Sequence, residues 1–323
     1  MNMYTPDTRA IHFIAASLRR APMFEGLDEH ELQALAEVFT PCTLARGQYL
    51  FRQGAPGNFM ALLSAGALGV KIEGSPTDNR YGATLDPCEI IGEMTCLDPS
   101  PRSASVVAIT NSEVLTLDRA SIDRLRAIMP RIYSALLRCI RARTATRLRV
   151  TNEAIGLYGR PDGVVSFGNG DPTTRPAPYE GPVRLSDHEG LRHFNRAELE
   201  QLCDLARKMT YPQGAVICRE GDEATHCYIV AKGDVVVCRE LGRSRYELGR
   251  IQRGELFGQL ALLERRRRSA MIEALSEAIL VEIDREEFAR LMVNHTPFGL
   301  RFQELVTVTS IRQLRSANER YCR

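Results

Sequence analysis

The sequence predicts a mainly β protein with flanking helices, built as two barrel- or sandwich-like domains in tandem. Two observations carry that reading. First, the chain repeats itself: a shift of 167 positions aligns Gly47, Arg52, Gly54, Gly66 and Val70 with Gly214, Arg219, Gly221, Gly233 and Val237. It also aligns Leu32 and Leu35 with Leu199 and Leu202, and after one deleted residue the repeat continues through Gly92, Arg102, Asp118 and Arg119 to Gly258, Arg268, Asp284 and Arg285. Second, glycines punctuate short apolar runs at intervals of roughly ten residues, the pattern of many short strands joined by turns.

The elements follow in order. Residues 1–23 form an N-terminal helical arm, and the first domain covers 24–153. It opens with a helix capped by Asp28, with Glu31 three residues on as a capping box requires, and with Leu32, Leu35, Ala36 and Phe39 on one face. Runs such as Gly47–Phe51 read as strands, and glycines at 54, 66, 221 and 233 suit turns that need positive φ. From Ala120 to about Asn152 the pattern is helical, with a break expected at Pro130 because the residue before a proline disfavours the α region. Ile132, Leu136, Ile140 and Leu148 mark its apolar stripe, and Arg138, Arg141, Arg143, Arg147 and Arg149 fill the other positions, as a solvated face first and a basic surface for a partner as the alternative. Residues 154–184, rich in glycine and proline, read as a linker. The second domain, 185–323, repeats the plan, with Asn195 and Glu198 as its opening capping box and Val235–Cys238 as a strand.

Composition removes several classes. A length of 323 residues suits two domains that each bury a core. A net charge of +2 is too small for a general nucleic-acid binder. No apolar run approaches the ~18 residues of a membrane span, and the start of the chain lacks a cleavage site, so a cytoplasmic protein is expected. Nine cysteines without Cys-x-x-Cys spacing read as reduced, mostly core thiols, with no metal site.

One segment carries chemistry, and it occurs twice. The first copy runs Gly92-Glu93-Met94-Thr95-Cys96-Leu97 and on to Pro101-Arg102-Ser103-Ala104. The second runs Gly258-Gln259-Leu260-Ala261-Leu262-Leu263 and on to Arg267-Arg268-Ser269-Ala270. An ionised acid can accept from a sugar hydroxyl, and an arginine at fixed spacing can fork onto two phosphate oxygens, where lysine offers only a point charge. The second copy has Gln259 for the acid and Arg267 for the proline. A neutral in place of a charged hydrogen bond costs about 1 kcal/mol, a several-fold to tenfold loss of affinity.

With this cassette, the glycine pattern and Leu117-Asp118-Arg119 in place, both halves resemble cyclic nucleotide-binding domains. That family is shared by regulatory subunits of cyclic-AMP-dependent protein kinase, bacterial cyclic-AMP receptors and cyclic-nucleotide-gated channels. The resemblance covers about 24–150 and 190–310 and implies two eight-stranded jelly rolls with helices at their ends. It implies a ligand, cyclic AMP or cyclic GMP with cyclic AMP favoured, held by Gly92, Glu93, Met94, Thr95, Arg102, Ser103 and Ala104. The corresponding second-site residues are Gly258, Gln259, Leu260, Arg268 and Ser269. In such a domain ligand draws the cassette inward, an apolar contact from Met94 or Leu97 releases, and a C-terminal helix repacks. Thr144, Thr146, Thr151 or Asn152 is then placed to meet the base.

The expected protein is therefore a non-catalytic receptor that binds a cyclic nucleotide mainly in domain 1 and signals to an effector protein, because too little chain remains for a kinase or cyclase. The alternative is an interaction scaffold whose cassettes bind nothing. DNA binding is disfavoured, since residues 286–321 are needed to close the second domain and leave no recognition helix. A kinase pseudosubstrate at Arg19-Arg20-Ala21-Pro22 is disfavoured because no spacer separates it from the first domain. No membrane partner is expected, and the long C-terminal helices can pair within one chain or between two copies as a homodimer.

Overall fold

The structure, a computed structural model, describes residues 8–72, 83–158, 175–186, 188–241 and 244–321. It divides into two compact units, 1–140 and 141–323.

In the first unit α1 (Thr8–Arg20) precedes α2 (Glu29–Ala36). Asp28 caps α2 as the sequence predicts: its carboxylate accepts from the Glu31 N–H at 2.8 Å, and Glu31 accepts from the Asp28 N–H at 3.1 Å. Eight described strands follow: β1 (Thr40–Leu44), β2 (Tyr49–Phe51), β3 (Phe59–Ala65), β4 (Leu68–Lys71), β5 (Ala83–Leu85), β6 (Ile90–Ile91), β7 (Ser105–Ala108) and β8 (Ser112–Asp118). They form two antiparallel four-stranded sheets ordered β1-β8-β3-β6 and β2-β7-β4-β5. Each sheet interleaves early strands with late ones, the topology of a jelly roll. Its core is the inward set Leu44, Leu63, Leu68, Ile91, Val106 and Val114. Between β6 and β7 sits the short helix α3 (Glu93–Leu97).

Two helices close this unit, α4 (Arg119–Ile128) and α5 (Pro130–Tyr158), and Asp118 caps α4 through the Ser121 N–H at 2.8 Å. The break falls at Met129, outside the α region at φ −134° and ψ 63°, as the proline on its C-terminal side requires. Ile132, Leu136, Ile140 and Leu148 are all buried. The arginine face is not uniformly solvated. Arg141 is only 4% exposed, and Arg149 is ion-paired, because the 141–158 half of α5 belongs to the second unit and packs among its helices.

The second unit repeats the plan. After β9 (Ala177–Pro178) and α6 (Arg196–Asp204), capped by Asn195 and Glu198, come β10 (Arg207–Tyr211), β11 (Val216–Cys218), β12 (His226–Lys232), β13 (Val235–Leu241), β14 (Ser244–Ile251), β15 (Leu256–Phe257), β16 (Met271–Ala274) and β17 (Ala278–Asp284). The sheets are β15-β12-β17-β10-β9 and β11-β16-β13-β14, the same order as in the first unit with β9 added at one edge. Helix α7 (Gln259–Glu264) stands where α3 stands in the repeat, and α8 (Arg285–Met292) and α9 (Pro297–Tyr321) close the unit. Of the segment read as a linker, 154–158 continues α5, Ala177–Pro178 pairs with β10, and 159–174 lies outside the described residues.

The glycines at 54, 66, 221 and 233 all adopt positive φ, between 78° and 91°. Gly66 shows the sharper reason: a Cβ there would lie 2.6 Å from the Asn111 carbonyl oxygen. The eight described cysteines are free, and burial pushes the Cys96 and Cys227 thiols up to about 12, which keeps them protonated and inert at neutral pH. Among the described residues no helix is long and apolar enough to cross a membrane, and no cluster of three or more His, Cys, Asp or Glu side chains could hold a metal ion.

Candidate functional site

Each cassette is built around one buried arginine. In the first unit Arg102 is 3% exposed and its guanidinium is pinned by main chain. Nη1 donates to the Gly92 carbonyl oxygen at 3.0 Å and to the Thr95 hydroxyl at 2.7 Å, and Nη2 donates to the Phe59 carbonyl oxygen at 2.7 Å. The rings of Phe51 and Phe59 flank it, with Cζ 4.0 and 4.7 Å from their centroids, a favourable cation–π setting. Burial pulls its pKa below the ordinary guanidinium value, with Cys96 and Glu93 opposing that shift, but arginine remains charged throughout the physiological range.

Of five guanidinium N–H groups, three are thus committed. The Nε–H and one Nη2–H, on adjacent nitrogens of the fork, remain for a ligand, and Nε is buried with no hydrogen-bond partner among the described residues. Gly92 makes this possible. It caps α3 at φ +78°, and a Cβ on it would lie 2.4 Å from Arg102 Nη1. Glu93, the first residue of α3, is 3% exposed beside it. Met94, Thr95 and Cys96 are buried as the rest of that turn, while Ser103 faces solvent and Ala104 is half-buried. A buried acid and a forked cation with unspent donors fit a small anion that also carries a hydroxyl.

The second unit keeps the arginine and changes what surrounds it. Arg268 donates from Nη1 to the Gly258 carbonyl oxygen at 2.7 Å and from Nη2 to the His226 carbonyl oxygen at 2.5 Å. These are the repeat equivalents of Gly92 and Phe59, and Arg268 Nε is again buried without a partner among the described residues. No hydroxyl replaces Thr95, because Ala261 stands there. The exchange is matched elsewhere: Gly57, whose Cβ would strike the Thr95 hydroxyl at 2.2 Å, becomes Ala224. Gln259 is 1% exposed, Leu260 is buried, and Ser269 is half-buried. Arg267 donates to the Gly221 carbonyl oxygen at 2.8 Å.

The structure brings the predicted residues of each cassette together, and the residues offered for the base, at 144, 146, 151 and 152, all lie in the second unit. Thr144 is fully buried within the second unit, Thr146 donates to the Ala142 carbonyl of its own helix, and the Thr151 hydroxyl is bonded to Asn318 on α9. Sequence reasoning missed Phe51 and Phe59 as the arginine's walls, and Ser310 and Gln313 of α9 as partners of Gln259. A signal for Ser310 was present, since Gln303, Thr307 and Ser310 recur at helical spacing within an otherwise apolar face.

The chain is similar to known proteins in both units. A family model described as a cyclic nucleotide-binding domain matches residues 41–128 and 208–295. The cAMP-dependent protein kinase regulatory subunit of Blastocladiella emersonii is 24% identical over 284 residues, covering 86% of this chain and 59% of that protein. A CRP-like cAMP-activated global transcriptional regulator of Mycobacterium tuberculosis is 32% identical over 137 residues, 42% of this chain and 58% of that protein. The chain therefore spans less than two thirds of the length of either. A solved structure, the regulatory domain of Toxoplasma gondii PKA with cAMP, is 21% identical and covers 90% of this chain and 95% of its own, with a TM-score of 0.34.

Proposed function

The chain belongs to the cyclic nucleotide-binding domain family, with two such domains in tandem, and on that premise we propose that its first unit is a receptor site for a cyclic nucleotide. The observation that carries this reading is Arg102, buried and braced by three protein acceptors, with Nε still unspent beside the buried Glu93. Arg102 would take two phosphate oxygens, and Glu93 would accept from the ribose 2′-hydroxyl, which excludes deoxyribose. Cyclic AMP is favoured over cyclic GMP because the kinase subunit and the bacterial regulator above carry cyclic AMP in their names.

The chain contributes no chemistry of its own in this reading. Its output is a movement of the helices after β8, and the break at Met129 between α4 and α5 provides the hinge at which α4 can turn. The signal then passes to an effector protein.

Thermal unfolding tests the receptor against the scaffold. Cyclic AMP at a hundredfold excess over its Kd stabilises a binding unit by about 2.7 kcal/mol, a rise of several degrees in midpoint. The wild-type protein is expected to show that rise and Glu93→Ala to lose it. A scaffold would respond in neither.

A further inference from the structure

The side chain of Gln259 is spent on the closing helix of its own unit. It opens α7, and its Nε2 donates to Gln313 Oε1 of α9 at 2.9 Å and lies 3.4 Å from the buried Ser310 hydroxyl. Gln313 in turn donates from its own Nε2 to the Leu256 carbonyl oxygen at 3.3 Å. One pair of amides thus fastens α9 both to the cassette helix and to β15, the strand that leads into it. The other end of α7 is tied as well. Glu264 forms an ion pair with Arg149 of α5, each side chain under a sixth exposed.

The two outer helices are joined to each other in the same unit. Arg141 of α5 reaches the Thr307 hydroxyl at 3.4 Å and the Gln303 carbonyl oxygen at 3.5 Å, and Thr151 meets Asn318 at 3.3 Å. The 141–158 half of α5, α7 and α9 therefore form a closed ring of polar contacts around the second cassette.

We propose that the second unit is capped by its own helix: the Gln259–Gln313 amide pair holds α9 on the cassette, so this unit takes up no cyclic nucleotide. The inference rests on the receptor reading of the first unit for its biological meaning, but its physical content concerns the second unit alone. A carboxylate cannot make the Gln259 contact with the Gln313 oxygen, because it has no hydrogen to donate. The substitution that weakens ligand recognition is thus the one that builds the clasp. Gln259 Oε1, the atom a sugar hydroxyl would address, is buried with no hydrogen-bond partner among the described residues, so α9 must leave the cassette before a ligand reaches it.

Hydrogen exchange on the full chain, read over residues 306–317, tests this. Saturating cyclic AMP or cyclic GMP is expected to leave exchange there unchanged in an Arg102→Ala chain, whose first site is silenced. Gln313→Leu, which keeps a good helix former but removes the acceptor, is expected to speed exchange there about tenfold without nucleotide, the equivalent of one buried hydrogen bond. Gln259→Leu should do the same, and amides of α2 in the first unit serve as the internal control. Protection of 306–317 by nucleotide in the Arg102→Ala chain would overturn the proposal. So would unchanged exchange in both leucine variants. Failure of the receptor reading shows elsewhere, as wild-type protein whose first-unit amides ignore nucleotide.

Discussion

Arg102→Ala is expected to reduce cyclic-nucleotide affinity by at least about a hundredfold, because two charge-assisted hydrogen bonds of about 1.5–3 kcal/mol each are lost. Its effect on stability is smaller and comes from opposing terms. The carbonyl oxygens of Gly92 and Phe59 lose their donor, at about 1–3 kcal/mol each if they stay buried. Against this, a guanidinium that burial disfavours is removed, as its lowered pKa indicates. The carbonyl loss wins, and urea denaturation should report a net destabilisation of about 1–3 kcal/mol. Arg102→Lys keeps the charge but cannot span three acceptors, so it should recover some stability and little affinity. Arg268→Ala separates the two roles: it removes the two carbonyl braces in the second unit and is expected to cost stability while leaving the nucleotide titration as it was.

Gly92→Ala should be nearly as damaging, by a different route. Alanine at φ +78° pays about 1–2 kcal/mol for the left-handed backbone. Its Cβ then meets Arg102 Nη1 at 2.4 Å and Phe51 Cε1 at 3.2 Å. The end of an arginine usually swings aside at little cost, but this one is held by Gly92, Thr95 and Phe59. The expected result is a fall in unfolding midpoint of about 5–10 °C together with loss of nucleotide binding. Gly54→Ala is the control, with the same φ of 78° and nothing within 4 Å of a Cβ. It should lose stability from the backbone alone and bind nucleotide normally. Equal binding defects in the two variants would mean that the close approach to Arg102 does not matter.

Local signals in the sequence translated well because their physics is local. Asp28 with Glu31 and Asn195 with Glu198 form the capping boxes that their spacing predicts, since the partners lie within one helical turn. The glycines before and within the repeats sit at positive φ for the same reason, and Pro130 breaks the helix at its preceding residue. The duplicated order of strands was legible because the repeat preserves it residue by residue. What stayed hidden depends on partners far along the chain. Arg141 and Arg149 occupy the polar side of a helix, and only the packing of α9 and α7 against that side turns them into buried contacts. Similarly, the sequence marks Gln259 as a departure from an acid, but not that Gln313 faces it from 54 residues away. The sequence pattern thus located the cassettes, and tertiary packing decided what each side chain within them is bonded to.

The most direct measurement is calorimetric titration of the full chain, stripped of bound nucleotide, with cyclic AMP and separately with cyclic GMP. The account predicts one equivalent bound, tighter for cyclic AMP, with the heat abolished by Arg102→Ala and retained by Arg268→Ala. Heat that survives Arg102→Ala and disappears in Arg268→Ala, or no heat with either nucleotide, would contradict it.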